Sequence, residues 1–379
     1  MPEVGTVAAG IPKLRAGDVE CPTIADEHLV CVRRAFNVGD DFLDGTVDFT
    51  KLAGGGGKGG DLMTRTTDGR FFVKQLNGGD ADSLLREDFL RSYVATVTKG
   101  TSLLCKLAAV FVHPTLGRFV AMANCLPTYV DRWSGLYDLK GSADDKVLIE
   151  DGEPTPEVHK RCWHLGLMVR EAAGCTRGTP LDRQRYVAGK KAAYQTPIYV
   201  TKEQKQELMS AIDEDVALLK AFGLMDYSMI VGVHRPAPGT AATEMEANSA
   251  PGCLHGMAYA SQHAGDTTII YFGIIDFLQE WTGGKKCAHI IKAACAPQPI
   301  STIPPPRYAK QFREFFKYKL RDVAHPLPPA YVNLDPGSGS ITGLSALKLA
   351  SEAWCLDRPH VVRPVSNNES RGLVFLFLF

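Results

Sequence analysis

The stretch YFGIIDFLQ, Tyr271 to Gln279, is apolar up to Ile275 and then meets an acid, Asp276. With Thr268 to Ile270 in front of it, the run has the character of a buried strand. An acid at the end of such a run is costly to bury unpaired, so a metal-binding or base role explains it, and a simple turn residue is the plainer alternative. Moving toward the N-terminus, LMDYSMIVGVH (Leu224 to His234) repeats the arrangement with Asp226 ahead of an apolar run. Here the plain alternative is a helix-terminal cap. The preceding segment, Thr201 to Phe222, carries Leu208, Ile212, Val216 and Leu219 at spacings of four, four and three, which predicts one face of a long helix with Thr201 as its N-cap. Two carboxylates of this kind suit phosphoryl transfer, which needs one acid near the attacking hydroxyl and one holding metal beside the phosphates.

The first half of the chain supplies what such acids would act with. GGGGKGG (Gly54 to Gly60) precedes RFFVKQL (Arg70 to Leu76), where Lys74 sits on a predicted strand. Glycines let backbone N–H groups approach phosphate oxygens, and a strand lysine can bridge them. No GK[ST] opens a helix, so this is not a Walker loop. A flexible loop beside a solvated lysine is the alternative, and Asp61 would repel phosphate if it pointed inward. A helix over SLLREDFLRSYVATV, strands at LAAVFVH and RFVAMA, and a connector at NCLP complete the order of a small nucleotide-binding lobe.

The chain has 379 residues, 45% of them hydrophobic, enough for one large two-lobed domain. Lys plus Arg equals Asp plus Glu at 42 each, so no global basic field drives it onto nucleic acid or lipid. The ten cysteines are scattered without a CxxC pair and without a secretory leader, which predicts a reduced cytoplasmic setting. No run approaches the roughly 18 apolar residues of a membrane span, so membrane contact is expected to be peripheral. The closing LVFLFLF is too short to span a bilayer.

Read in order, FFVKQL, MANCLP, YDLKGS, MDYSMIVGVH and GIIDFLQ resemble the signature segments of the phosphatidylinositol phosphate kinase family. YDLKGS (Tyr137 to Ser142) and MDYS (Met225 to Ser228) are the most specific of them. The resemblance covers about Leu29 to Leu320. It implies an α+β, two-lobed kinase-like fold with antiparallel sheets and flanking helices. On that reading residues 1–27 are a flexible lead and 28–320 the kinase domain, with a small lobe over 28–126 and a large lobe over 127–320. Insertions, each expected to be poorly ordered in part, fall at about 144–197 and 235–266, and a tail of unassigned role at 321–379.

Carried over by position, the resemblance implies ATP and Mg²⁺ as cofactors. Lys74 would bind the α- and β-phosphates under a loop including Gly57, Lys58, Gly59 and Gly60. Asp226 would be the catalytic acid or base, and Asp276 would coordinate the metal. Met122, Asn124 and Leu126 would line the adenine site. Lys140 would help hold phosphate, and Lys146 would contact the lipid head group. The acid that pairs with Lys74 is either Asp82 or Glu87, with Asp82 slightly favoured.

Between Asp276 and Tyr308 lies the position of the family's activation loop. Lys285, Lys286 and Lys292 beside Ile290 and Ile291 suggest an interfacial helix meeting anionic head groups at about 1 kcal/mol per basic residue. Ala288 and ISTIPPPRYAKQF resemble the type II class, which phosphorylates phosphatidylinositol 5-phosphate at position 4. NCLP resembles the type I class, which phosphorylates phosphatidylinositol 4-phosphate at position 5. The partners implied are a phosphoinositide at an anionic surface and a second copy through the small lobe, with no nucleic acid. Inositol polyphosphate or protein kinase activity, and a catalytically weak phosphoinositide-binding scaffold, are the competing readings.

Overall fold

The computed structural model describes residues 13–54, 62–155, 188–190, 192–249, 252–263, 266–295 and 299–322. The first described residues form a hairpin, β1 (Lys13–Ala16) and β2 (Val19–Pro22). Ordered structure thus stands within the segment expected to be a flexible lead. Ala16 and Cys21 are fully buried beside Leu43, Val47 and Phe111, and this burial holds the hairpin against the small lobe.

Helix α1 (Asp26–Ala35) follows and buries Leu29 and Val32. The small-lobe sheet contains β3 (Ala53–Gly54), β4 (Leu62–Arg65), β5 (Phe71–Gln75), β6 (Leu107–His113) and β7 (Gly117–Ala123) in the order β3-β4-β5-β7-β6, antiparallel throughout. The helical segment expected as one piece is two helices, α2 (Gly78–Leu84) and α3 (Glu87–Val97). Asn77 caps α2 through a bond from Asp80 N, so the first helix begins earlier than the apolar periodicity suggests.

The large lobe is built on β8 (Gly135–Leu139), β9 (Lys146–Glu150) and β10 (Glu153–Pro154) together with β12 (Ser228–His234), β13 (Met257–His263) and β14 (Asp266–Ile275). Their order is β10-β9-β8-β12-β14-β13, and every neighbouring pair is antiparallel. The strand β11 (Ile198–Val200) leads into α4 (Lys202–Ala221), where Thr201 and Gln204 form a complete capping box. Helices α5 (Ala241–Ser249), α6 (Gly283–Cys295) and α7 (Pro305–Lys319) follow, and β15 (Leu320–Asp322) pairs in parallel with β11.

The α4 stripe read from the sequence, Leu208, Ile212, Val216 and Leu219, is buried, and α4 packs with α7, whose Tyr308, Phe312 and Phe316 are fully enclosed. Each such side chain contributes about 1.5–3 kcal/mol on burial. Residues 235–266, expected to be poorly ordered in part, contain α5 and β13. The other expected insertion opens with a sheet strand, β9, while residues 156–187 lie outside the described part, as do 323–379.

Two junctions tie the lobes together at the cleft. Residues 103–105 run beside the end of β14, with Cys105 N donating to Ile274 O (2.9 Å) and Ile274 N donating to Leu103 O (2.7 Å). The connector after β7 crosses β14 so closely that a Cβ at Gly273 would lie 2.6 Å from the Cβ of Cys125. A glycine is therefore required two residues before Ile275, at the strand end that carries Asp276.

Candidate active site

Sheet register brings the two acids together. Ser228 pairs with Ile275, so the start of β12 lies opposite the end of β14. Asp226 precedes the one and Asp276 follows the other, and Met225 N donates to Gln279 O (2.9 Å) just beyond. Both aspartates adopt the left-handed conformation, φ +65° for Asp226 and +56° for Asp276. Asp tolerates that region better than most residues, but it remains sparsely populated and tends to mark functional positions. Asp226 is buried at 7% exposure, whereas the Asp276 side chain is 55% exposed.

Lys74 reaches the same edge from the small lobe. It lies on β5 between Met63 of β4 and Val120 of β7, with buried Val73 beside it. Its Nζ is 3.5 Å from Asp276 Oδ1 and 4.0 Å from Asp80 Oδ2. The helix acid beside the lysine, on the small-lobe side, is therefore Asp80, not Asp82 or Glu87. Asp82 is exposed, and two helical positions from Asp80 turn it to the far side of α2. Glu87 opens α3 and is bonded to His28 (3.1 Å) and Arg91 (2.7 Å). The sequence held the signal in Asn77-Gly-Gly-Asp80, an N-cap with an acid three residues on.

Lys140 is placed on an acid. Its Nζ donates to Asp226 Oδ1 (2.9 Å) and to Asp226 O (2.5 Å), both groups being largely buried. Burial alone would depress the Lys140 ammonium, but Asp226 and then Asp138 outweigh it and hold its pKa above the usual lysine range. Lys146 on β9 pairs with Asp138 of β8 (Nζ–Oδ2 3.2 Å). Burial works against the Asp138 charge, yet Lys146 and Lys140 prevail and keep its pKa below the ordinary carboxylate value. Two lysines and two acids thus alternate across β8, β9 and the start of β12. Asp138 was not among the residues singled out from the sequence.

Other predicted positions are placed differently. Asn124 builds the connector: its Nδ2 donates to Gly69 O (3.2 Å), its Oδ1 accepts from Leu126 N (3.1 Å), and its N–H donates to Arg70 O (2.8 Å). Its side-chain amide is thus engaged by backbone groups of the connector and of the β4–β5 turn. Met122 is half-buried on β7 and Leu126 packs over Gly232. Gly57, Lys58, Gly59, Gly60 and Asp61 lie outside the described residues, but β3 and β4 pair on either side of them, one strand from Lys74. Lys285, Lys286 and Ala288 lie on α6, with Lys286 exposed. Lys292, on the same helix, turns inward and donates to Thr302 Oγ1 (2.7 Å), while His289 Nδ1 bonds Thr302 O (2.8 Å).

The donor set fits Mg²⁺. That ion takes one or two carboxylates, keeps several waters and completes its shell with substrate phosphates. Asp276 offers an exposed carboxylate beside Lys74, and no cluster of three or more His, Cys, Asp or Glu occurs among the described residues to hold a metal without a substrate.

Comparison with known proteins matches residues 47–319 to the phosphatidylinositol-4-phosphate 5-kinase family model. The chain is 22% identical over 329 residues to 1-phosphatidylinositol 3-phosphate 5-kinase of Saccharomyces cerevisiae, covering 81% of this chain and 12% of that protein. It is 28% identical over 163 residues to phosphatidylinositol 5-phosphate 4-kinase type-2 gamma of Danio rerio, covering 31% and 39%. Human phosphatidylinositol 4-phosphate 5-kinase type-1 beta is 24% identical over 335 residues, covering 78% and 56%. The chain thus spans little more than half the length of these relatives at most. With the family model spanning both lobes and every element of the cleft, the chain belongs to the phosphatidylinositol phosphate kinase family.

Proposed function

We propose that the chain is an ATP-dependent lipid kinase that transfers the γ-phosphate to an inositol ring hydroxyl of a phosphatidylinositol monophosphate, giving phosphatidylinositol 4,5-bisphosphate. The observation that carries this reading is the meeting of Lys74 with Asp276 at the sheet edge that also bears the Lys140–Asp226 pair.

The transition state of phosphoryl transfer is loose and highly charged, so catalysis rests on positioning and on fixed charges. Lys74 bridges phosphate oxygens, oriented by Asp80. Asp276 would hold Mg²⁺, which would supply positive charge against the transferring phosphoryl group. Asp226 orients the ring hydroxyl and accepts its proton. Lys140, a lasting cation on Asp226, keeps that carboxylate aimed and offers its charge to the incoming phosphoryl oxygens. Lys146 and Lys286 meet the lipid head group. No helix among the described residues is long and apolar enough to cross a membrane, and α6 would serve peripheral contact with an anionic surface.

Ala288 favours 4-kinase action on phosphatidylinositol 5-phosphate. The type-1 relatives align over far more of the chain than the type-2 relative does, 78% against 31%, which favours 5-kinase action on phosphatidylinositol 4-phosphate as a second reading. Incubation with labelled ATP and vesicles carrying each monophosphate separately, followed by isomer-resolved product analysis, tests both. Label in a bisphosphate supports the lipid-kinase reading. ATP consumed only on soluble inositol phosphates or protein, or not at all, refutes it.

A further inference from the structure

The turn between β8 and β9, residues 140–145, is fastened more heavily than a connection between neighbouring strands requires. Asp145 is 1% exposed, and its Oδ1 accepts from Lys140 N (2.6 Å) and Ser142 N (3.1 Å). Gly141 has φ +67°, and a Cβ there would lie 2.8 Å from Phe315 Cβ, so the turn is pressed against α7. From α7, Gln311 Nε2 donates to Gly141 O (3.0 Å) and also to Ile300 O (3.1 Å). Lys190 Nζ donates to Ala143 O (2.7 Å). The segment returning from α6 is bound to the same turn: Ala143 N donates to Pro299 O (2.7 Å), and Ser301 Oγ donates to Asp144 Oδ2 (3.0 Å).

We propose that Asp145 is a positioning residue for phosphoryl transfer, closing the turn so that Lys140 is delivered onto Asp226, and that through this turn the seating of residues 299–301 reaches the reacting hydroxyl. The proposal rests on the lipid-kinase reading of the cleft. Its logic is geometric. The Lys140 main chain is held by Asp145, its side chain ends on Asp226, and nothing else in the turn bonds the Lys140 N–H. Without the carboxylate a half-buried N–H of Lys140 and a buried N–H of Ser142 lose their acceptor, and the turn relaxes toward other partners. A displacement of about 1 Å at a reacting group costs on the order of 100-fold in rate.

The test measures kcat and KM on phosphoinositide vesicles for the wild-type chain, D145A, D145S, D145N, K140M and K140M/D145A, with thermal unfolding recorded for each. D145A is expected to lower kcat by about 10- to 100-fold with KM for ATP within about twofold of wild type. D145N, whose amide oxygen can accept the same two N–H groups, should recover most of the rate, and D145S, with a shorter side chain, should fall between. Because Asp145 acts through Lys140, K140M/D145A should be no slower than K140M alone. If D145A does not fold, the ordering of D145N above D145S carries the same meaning. Wild-type rates in D145A or D145S, or losses that multiply in the double variant, would overturn the proposal while leaving the lipid kinase intact. A wild-type chain inactive on every monophosphate would instead overturn the reading beneath it.

Discussion

Replacing Lys140 by methionine separates the charge of this residue from its bulk, and the structure sets the size of the effect. The Lys140 Nζ to Asp226 Oδ1 distance is 2.9 Å, with the two side chains 16% and 8% exposed. At an effective dielectric constant of about 20 the gross attraction is about 6 kcal/mol. Desolvation of both ions offsets part of this, and breaking one side of such a buried pair costs about 3–5 kcal/mol. K140M and Asp226→Asn should therefore each destabilise the chain by that order in urea unfolding. K140M/D226N should cost clearly less than the sum, giving a coupling of about 2–3 kcal/mol. The bond from Lys140 Nζ to Asp226 O is lost in either background, so the cycle isolates the carboxylate contact. A coupling below about 0.5 kcal/mol, the usual limit of additivity for independent sites, would refute the claim that this pair organises the cleft.

Further predictions follow from other contacts. Asp80→Asn should lower kcat/KM for ATP by about tenfold by releasing Lys74, whereas Asp82→Asn should leave it within about twofold, and the reverse order would restore Asp82 as the partner. Ala288→Glu should shift preference toward phosphatidylinositol 4-phosphate in the isomer-resolved assay, and an unchanged product isomer would count against the role given to α6. Burial pushes the Asp215 carboxyl up to about 6, against the bonds it accepts from Ser102 Oγ (2.8 Å) and Leu103 N (2.7 Å). The folded state therefore binds more protons than the unfolded state between about pH 4 and pH 6, and Asp215 costs stability as pH rises through that window, by up to about 3 kcal/mol. Asp215→Asn should remove that slope, seen as the difference between wild-type and variant unfolding free energies at pH 4.5 and 7. A pH-independent difference would contradict it.

Long periodic elements were legible in the sequence because their burial pattern is local. The α4 stripe, its Thr201 cap and the run ending at Asp276 needed only spacing and polarity to read. Asp80 was missed because it precedes the apolar periodicity of its helix, and its identity depends on where Asn77 starts the first turn. The β1–β2 hairpin was missed because its burial comes from Leu43, Val47 and Phe111, distant in sequence. The contact of Lys140 with Asp226 spans 86 positions and follows only from β8 lying beside β12. Asn124 reads as a connector residue, yet only the closed turn reveals that its amide bonds the backbone at Gly69 and Leu126. Asp138 lies inside YDLKGS, but its ion pair with Lys146 follows only from the pairing of β8 with β9, and Asp145, beyond that segment, holds two N–H groups that only the closed turn brings to it.

The most direct test of the cleft is single-turnover transfer of label from ATP to lipid vesicles by wild type and Asp226→Asn, alongside nucleotide binding by each. Asp226→Asn should bind nucleotide with an affinity within about threefold of wild type while transferring label at least about 100-fold more slowly. Equal transfer rates, or nucleotide binding lost together with transfer, would contradict the assignment of Asp226 to the reacting hydroxyl.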